Sequence, residues 1–303
     1  MSNFKRFASF VLAATIVPAL HAEPRCPGNV ASVPLHRTNS HHMIVAISVN
    51  HSGPYNFLLD TGTQMTMIAP SLAAELHLNT QDSAVVAGVG FHAAASVAQL
   101  DLLEAGSHGV ANQKVLVFDI KNPESIDLHY RGVLGEDFLS QFDMLIDNDH
   151  NLLCLDDSSA MARDVKGSHV ALAAPAQTTN DIPALRTLMI AASLSDGTRP
   201  VRLKLDSGTN VSFLFNTAQY LPLELLRWTS THGGGFDGAQ HRYLTVPPQD
   251  VQIGSLEISR VSFFTFADAK KDSGLTGDGL LATGLFRRVF ISHAHHFVVF
   301  ESW

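Results

Sequence analysis

Residues 57–63 read FLLDTGT and residues 202–209 read RLKLDSGT. In each, an apolar run bound for a core ends on an aspartate at a D-T/S-G-T turn, and Asp206 follows Asp60 by 146 residues. The surroundings match as well. MIVAISVNHSGPYNFLLDTGTQMTMIAP pairs with LMIAASLSDGTRPVRLKLDSGTNVSFLFN: an apolar run, a turn (HSGP or SDGT), a second run ending on the aspartate, then a third run. Helical segments are expected next, near residues 71–78 and 217–228. Glycine-rich tips follow at a matched distance, GVGF at 88–91 and GGGF at 233–236. RGVLGEDFL (131–139) then pairs with DGLLATGLF (278–286). Three landmarks that keep nearly one offset point to a chain written twice.

Size and composition agree with that reading. At 303 residues and 46% hydrophobic, the chain can bury one large core or two smaller ones. Only 16% of residues are charged and glycine is frequent at 21, while apolar residues come in short runs, so many short strands are expected rather than long helices. The polar, aperiodic stretch 158–168 is the expected linker between an N-terminal lobe at 23–157 and a C-terminal lobe at 169–303.

The first 22 residues stand apart. Lys5 and Arg6 precede an uncharged stretch from Phe7 to Leu20, followed by LHA before Glu23, the pattern of a secretory signal peptide. That apolar stretch falls short of the roughly 20 residues that span a bilayer, and no later stretch is longer, so an exported chain without a membrane span is expected, periplasmic or secreted. Net charge is −8, and removing the segment takes away two cations and no anions, which argues against a nucleic-acid partner. In an oxidising compartment Cys26 and Cys154 either close a bridge or remain two buried thiols.

Duplication explains why an apolar run should end on an acid. Two like strand ends can meet across a pseudo-dyad and bring Asp60 and Asp206 to a shared site. Two close carboxylates do not both ionise cheaply, so they share one proton. One is then an anion able to take a proton from water, and the other an acid able to protonate a peptide carbonyl. Gly62 and Gly208 permit the tight turn and close backbone approach. The hydroxyls of Thr61 and Ser207 are placed to bond the opposite loop, and those of Thr63 and Thr209 to donate to the carboxylates. Such a pair needs no metal and no cofactor. One D-T/S-G copy alone is an ordinary turn in which the acid bonds nearby backbone; two in register, each with matched landmarks, are not accounted for that way.

On these residues the chain resembles the aspartic proteases, whose hallmark is the D-T/S-G-T/S loop backed by a later apolar-apolar-Gly segment. Val133-Leu134-Gly135 matches that segment; Leu280-Leu281-Ala282 departs from it, with alanine where glycine is expected. The resemblance covers nearly all of residues 30–303 and is nearest to a bacterial, duplicated retropepsin-like chain on a bilobal, pepsin-like plan. It implies an all-β, acid-protease fold of two similar closed β-barrel-like lobes related by a pseudo-twofold axis, with short helices. It also implies a peptide or protein substrate, a chain monomeric through its internal pseudo-dimer, and hairpin flaps at Gly88, Gly90 and Phe91 and at Gly234, Gly235 and Phe236.

The expected activity is that of an aspartic endopeptidase. A non-catalytic peptide- or protein-binding module on the same scaffold is the alternative; a repeat-built structural protein leaves both D-T/S-G-T copies unexplained. Among 16 histidines, the SHAHH run at 292–296 aligns with the turn of the last hairpin and is expected to be solvated rather than metal-binding. Trp228 and Trp303 are expected to pack.

Overall fold

The computed structural model describes residues 25–88, 91–121, 129–173, 187–222, 230–234, 238–268 and 277–303. Residues 1–22, read as a signal peptide, Val89 and Gly90, Gly235 and Phe236, and Trp228 lie outside them. Ten strands come from the first half: β1 (Ser32–Arg37), β2 (Met43–Val49), β3 (Ser52–Leu59), β4 (Met67–Ile68), β5 (Thr80–Gly88), β6 (Phe91–Ala105), β7 (His108–Val117), β8 (Gly132–Leu134), β9 (Asp143–Asp147) and β10 (Leu152–Asp156). Ten follow: β11 (Val170–Ala171), β12 (Met189–Leu194), β13 (Val201–Asp206), β14 (Ser212–Leu214), β15 (Ser230–Gly234), β16 (Gln240–Ile253), β17 (Leu256–Phe266), β18 (Gly279–Ala282), β19 (Arg288–Ser292) and β20 (Phe297–Glu301). Helices are short: α1 (Pro70–Glu75), α2 (Glu136–Leu139) and α3 (Ala160–Asp164), the last inside the stretch read as a linker. In the second half, a single 3-10 turn at Thr217–Gln219 opens the expected helical segment, whose remainder lies largely outside the described residues.

The pairing β2-β3-β8-β4-β7-β6 returns to β2 and closes a six-stranded barrel, and β12-β13-β18-β14-β17-β16 returns to β12 in the same order. Closure removes the free edges that strands otherwise expose. Along β3 the side chains alternate between two apolar environments. Phe57 and Leu59 enter the main core, whereas Leu58 enters a second cluster with Ile44, Met67, Val86 and Val133 beneath the β5-β6 hairpin. With both faces covered, the run toward Asp60 is continuously apolar instead of alternating.

The barrels are joined by a shared sheet in the order β11-β20-β19-β9-β10-β1, where β19 of the second lobe pairs antiparallel with β9 of the first. Cys26 is disulfide-bonded to Cys154 on β10, with the Cα atoms 5.8 Å apart and a sequence separation of 128. The two cysteines pack with Leu145, Met161 and Phe290 in a small core of their own. Of the two readings open for the cysteines, the bridge is the one found. No helix among the described residues is long and apolar enough to cross a membrane.

Candidate active site

Each loop grows from a strand held between two neighbours. β3 runs parallel to β8 and β13 parallel to β18, with Asp206 opposite Ala282 in register. The Asp60 N–H donates to the Leu134 carbonyl (3.1 Å), and the Glu136 and Asp137 N–H groups donate to the carbonyls of Thr63 and Gln64 (2.9 and 3.0 Å). Segment 132–137 therefore knits under the first loop. Gly135 is required there, because a Cβ would stand 2.8 Å from the Met65 carbonyl carbon and 2.9 Å from the Thr66 nitrogen. The second lobe repeats the key bond with different side chains: Gly135 N–H donates to Thr66 Oγ1 and Ala282 N–H to Ser212 Oγ, each at 3.1 Å. Ala282 is thus seated despite its extra methyl, opposite a residue with one methyl fewer.

Across the dyad the loops hold each other through their hydroxyls. Thr61 Oγ1 donates to the Leu205 carbonyl and accepts the Ser207 N–H, both at 3.0 Å. Reciprocally, Ser207 Oγ donates to the Leu59 carbonyl (2.9 Å) and accepts the Thr61 N–H (3.0 Å). All four bonds are buried, and Thr61 and Ser207 are 0% and 2% exposed. The two hydroxyls bond across to the opposite loop, and each is both a donor and an acceptor there.

This lattice sets Asp60 and Asp206 face to face. Each glycine abuts the opposite carboxylate: a Cβ at Gly62 would stand 2.5 Å from Asp206 Oδ2, and one at Gly208 would stand 2.6 Å from both Asp60 oxygens. Asp60 Oδ1 accepts the N–H groups of Gly62 (2.7 Å) and Thr63 (3.1 Å), and the Thr63 hydroxyl also bonds this carboxylate. Asp206 Oδ1 accepts the Gly208 N–H (2.8 Å), with the Thr209 N–H adding a second bond. The Thr209 hydroxyl departs from its expected role, donating instead to the Val211 carbonyl at 2.9 Å. Burial raises both acids; the Asp60 charge pushes Asp206 further, to about 7, against the opposing pull of Lys204. With three donors against two, Asp60 is the better-stabilised anion of the pair.

The hairpins expected as flaps are present as the antiparallel pairs β5-β6 and β15-β16, with Gly88 opposite Phe91 and Gly234 opposite Gln240. Beneath the second, Phe213, Phe215, Tyr243 and Phe266 form an aromatic wall with Leu280, where the first lobe has mostly aliphatic side chains.

Two features of the site were not read from the sequence. Lys204, inside RLKLDSGT, donates from Nζ to the Gly62 carbonyl of the opposite loop. Its signal was a charge in the middle of Leu203–Leu205, whose counterpart Phe57–Leu59 is wholly apolar. The second feature corrects the reading of SHAHH as a solvated run. Ala294, His295 and His296 are exposed, as expected of a turn, whereas His293 is buried at 2%. Its Nδ1 donates to the Phe142 carbonyl (2.7 Å), and its Nε2 meets Glu136 Oε2 at 3.1 Å, with Glu136 equally buried. Burial disfavours charge on His293, but the bond and charge of Glu136 outweigh it and raise the imidazole's pKa. In the other half, the matching places hold Thr283 and Asn148, and Asn148 Nδ2 donates to the Thr283 and Phe286 carbonyls at 3.0 and 2.8 Å. An ionisable pair thus faces a neutral one across the dyad. Trp303, expected to pack, is 68% exposed.

Two closed barrels meeting at paired D-T/S-G-T loops define the aspartic-protease fold. The comparisons with known proteins agree. The family model described as aspartyl protease matches residues 45–138. The crystal structure of an aspartic proteinase from Irpex lacteus is similar at 15% identity and a TM-score of 0.54, covering 90% of this chain and 97% of that one. A retropepsin-like aspartic protease from Rickettsia conorii is similar at 23% identity and a TM-score of 0.31, covering 42% of this chain and 90% of that one. No curated protein matches the chain. Fold and family signature together mark the chain as aspartic-protease-like and support a peptidase acting on peptides.

Proposed function

We propose that the chain is an aspartic endopeptidase that hydrolyses peptide bonds with a water activated between Asp60 and Asp206, one from each lobe. The observation that carries this is the reciprocal Thr61–Ser207 lattice, which holds two buried carboxylates against each other's glycines. Asp60, as the anion, takes a proton from the water while Asp206 donates its proton to the carbonyl oxygen of the scissile bond, giving a tetrahedral diol. Return of a proton to the leaving nitrogen then breaks the C–N bond. The β5-β6 and β15-β16 hairpins close over a substrate held in extended form between the lobes. Activity requires one proton on the pair, so it is lost when the second carboxyl ionises, near pH 7.

In this reading residues 1–22 direct export, the two lobes come from one duplicated unit and the chain acts as a monomer. The disulfide favours an oxidising compartment. The test is cleavage of a mixed peptide library by the purified mature chain between about pH 3 and 7.5, a range set by carboxylate and histidine values. Turnover is expected in the wild type and lost in Asp60→Asn and in Asp206→Asn. Turnover that survives either substitution refutes the assignment; saturable peptide binding without turnover at any pH points instead to the binding module.

A further inference from the structure

On β13 the side chains alternate: Leu203 and Leu205 enter the core, and Lys204 shares the other face with Asp206. At the matching place in the first lobe, two residues before Asp60, stands fully buried Leu58. The second lobe therefore puts an ammonium where the first puts an isobutyl group. Two strand residues span about 6.6 Å, so the lysine side chain is long enough to run alongside the aspartate. It crosses to the other lobe, where Nζ donates to the carbonyl of Gly62, the same glycine that abuts the Asp206 carboxylate.

The charged and titratable groups around this ammonium come from several elements. Asp60 and Asp206 stand on the two loops, and Glu136 opens α2; the Lys204 charge acts on all three. His293, after β19, lies behind Glu136, and Tyr130, before β8, feels the charge of Asp60. Glu136 has His293 as its hydrogen-bonded partner, whereas the two aspartates face each other with the lysine as the cation acting on both.

We propose that Lys204 is a positioning residue for the carboxylate pair, tying the Gly62 carbonyl across the dyad and supplying a fixed positive charge that moves the proton-sharing range of Asp60 and Asp206 to lower pH. The inference rests on the reading of the pair as catalytic. A nearby cation stabilises each ionised state, so it eases both proton losses rather than one. Burial and mutual repulsion raise the same two acids, and the lysine acts against both.

The test follows the aspartate carboxyl carbons by 13C NMR titration in the wild type, Lys204→Leu and Lys204→Arg, alongside the pH dependence of peptide turnover. Leucine is the residue the first lobe accommodates at this place. Lys204→Leu is expected to raise both carboxyl titrations and both limbs of the rate profile by about one pH unit, cutting turnover on the acid limb about tenfold. Lys204→Arg is expected to keep both near their wild-type positions. Titrations that do not move in Lys204→Leu overturn the proposal, and so does a lowered kcat with unmoved limbs, which identifies a purely structural role. The NMR titration needs no turnover, so an inactive wild type sinks the peptidase reading while the effect of Lys204 on the pair is still measured. If Lys204→Leu does not fold, Lys204→Gln, a neutral amide donor one bond shorter, carries the same expectation.

Discussion

Replacing Thr61 by valine keeps the shape of the side chain and removes one hydroxyl. That hydroxyl serves two buried backbone groups of the other lobe, the Leu205 carbonyl and the Ser207 N–H, each at 3.0 Å. Neither has water to turn to, since Thr61 is fully buried and Ser207 nearly so. Leaving a buried donor or acceptor unpaired costs about 1–3 kcal/mol, so Thr61→Val, which strands one of each, is expected to lose about 2–6 kcal/mol. The assay is urea unfolding in an Asp60→Asn background, so that the proposed peptidase activity is absent from both proteins compared. With a slope of about 2–3 kcal/mol per molar, the midpoint falls by about 0.7–3 M. Ser207→Ala should cost a comparable amount, and the double variant less than the sum by about 1 kcal/mol or more, because the loops part once either hydroxyl is gone. A loss under about 0.5 kcal/mol for Thr61→Val, or strict additivity with Ser207→Ala, refutes the reasoning.

Other outcomes follow from the two halves' differences. Gly135→Ala drives a methyl into the Met65 and Thr66 backbone and should cost about 1–3 kcal/mol, whereas Ala282→Gly should change stability by about 1 kcal/mol or less; equal effects in urea unfolding contradict this. His293 holds its proton more tightly folded than unfolded, so its contribution is complete below its ordinary value of 6.5 and is lost as pH rises through the higher folded value. Burial raises Glu136 as well, with the same sign. Stability should therefore fall as pH rises above the ordinary values of 4.5 and 6.5. The double change Glu136→Thr with His293→Asn, which copies Thr283 and Asn148, should flatten that fall, while His293→Asn alone strands a buried acid and costs about 3 kcal/mol or more. Thermal unfolding from about pH 5 to 9, a range chosen as roughly two units around the histidine value, decides between them. Removing the disulfide through Cys26→Ala and Cys154→Ala releases residues separated by 128 positions and should cost about 3–5 kcal/mol; a variant as stable as the wild type contradicts that.

The paired loops and the all-β lobes were legible because they rest on local signals repeated in register. An apolar run, an acid and a glycine turn each have a reason at short range, and the common offset predicts which distant residues meet. The hydroxyl exchange between Thr61 and Ser207 follows from the same symmetry. What escaped the sequence is where the halves differ. Glu136 and His293 lie 157 residues apart, and nothing near either one indicates that the other will neutralise it. His293 read as part of a solvated turn because the rest of SHAHH is one. The Thr209 hydroxyl bonds Val211 because a carbonyl two residues on competes for it, a local choice that a motif shared by both loops does not reveal.

The exchange of hydroxyls has a consequence for how the molecule comes into being. Leu59, Thr61, Leu205 and Ser207 offer each other four buried bonds, and β9, already paired with β10, finds its second sheet neighbour in β19. A first barrel emerging alone from a ribosome presents those groups unmatched. Its carboxylate has no counterpart and its loop no opposite wall. The machinery is completed by the arrival of the second lobe, and a chain cut short between the lobes carries one acid and half a cleft.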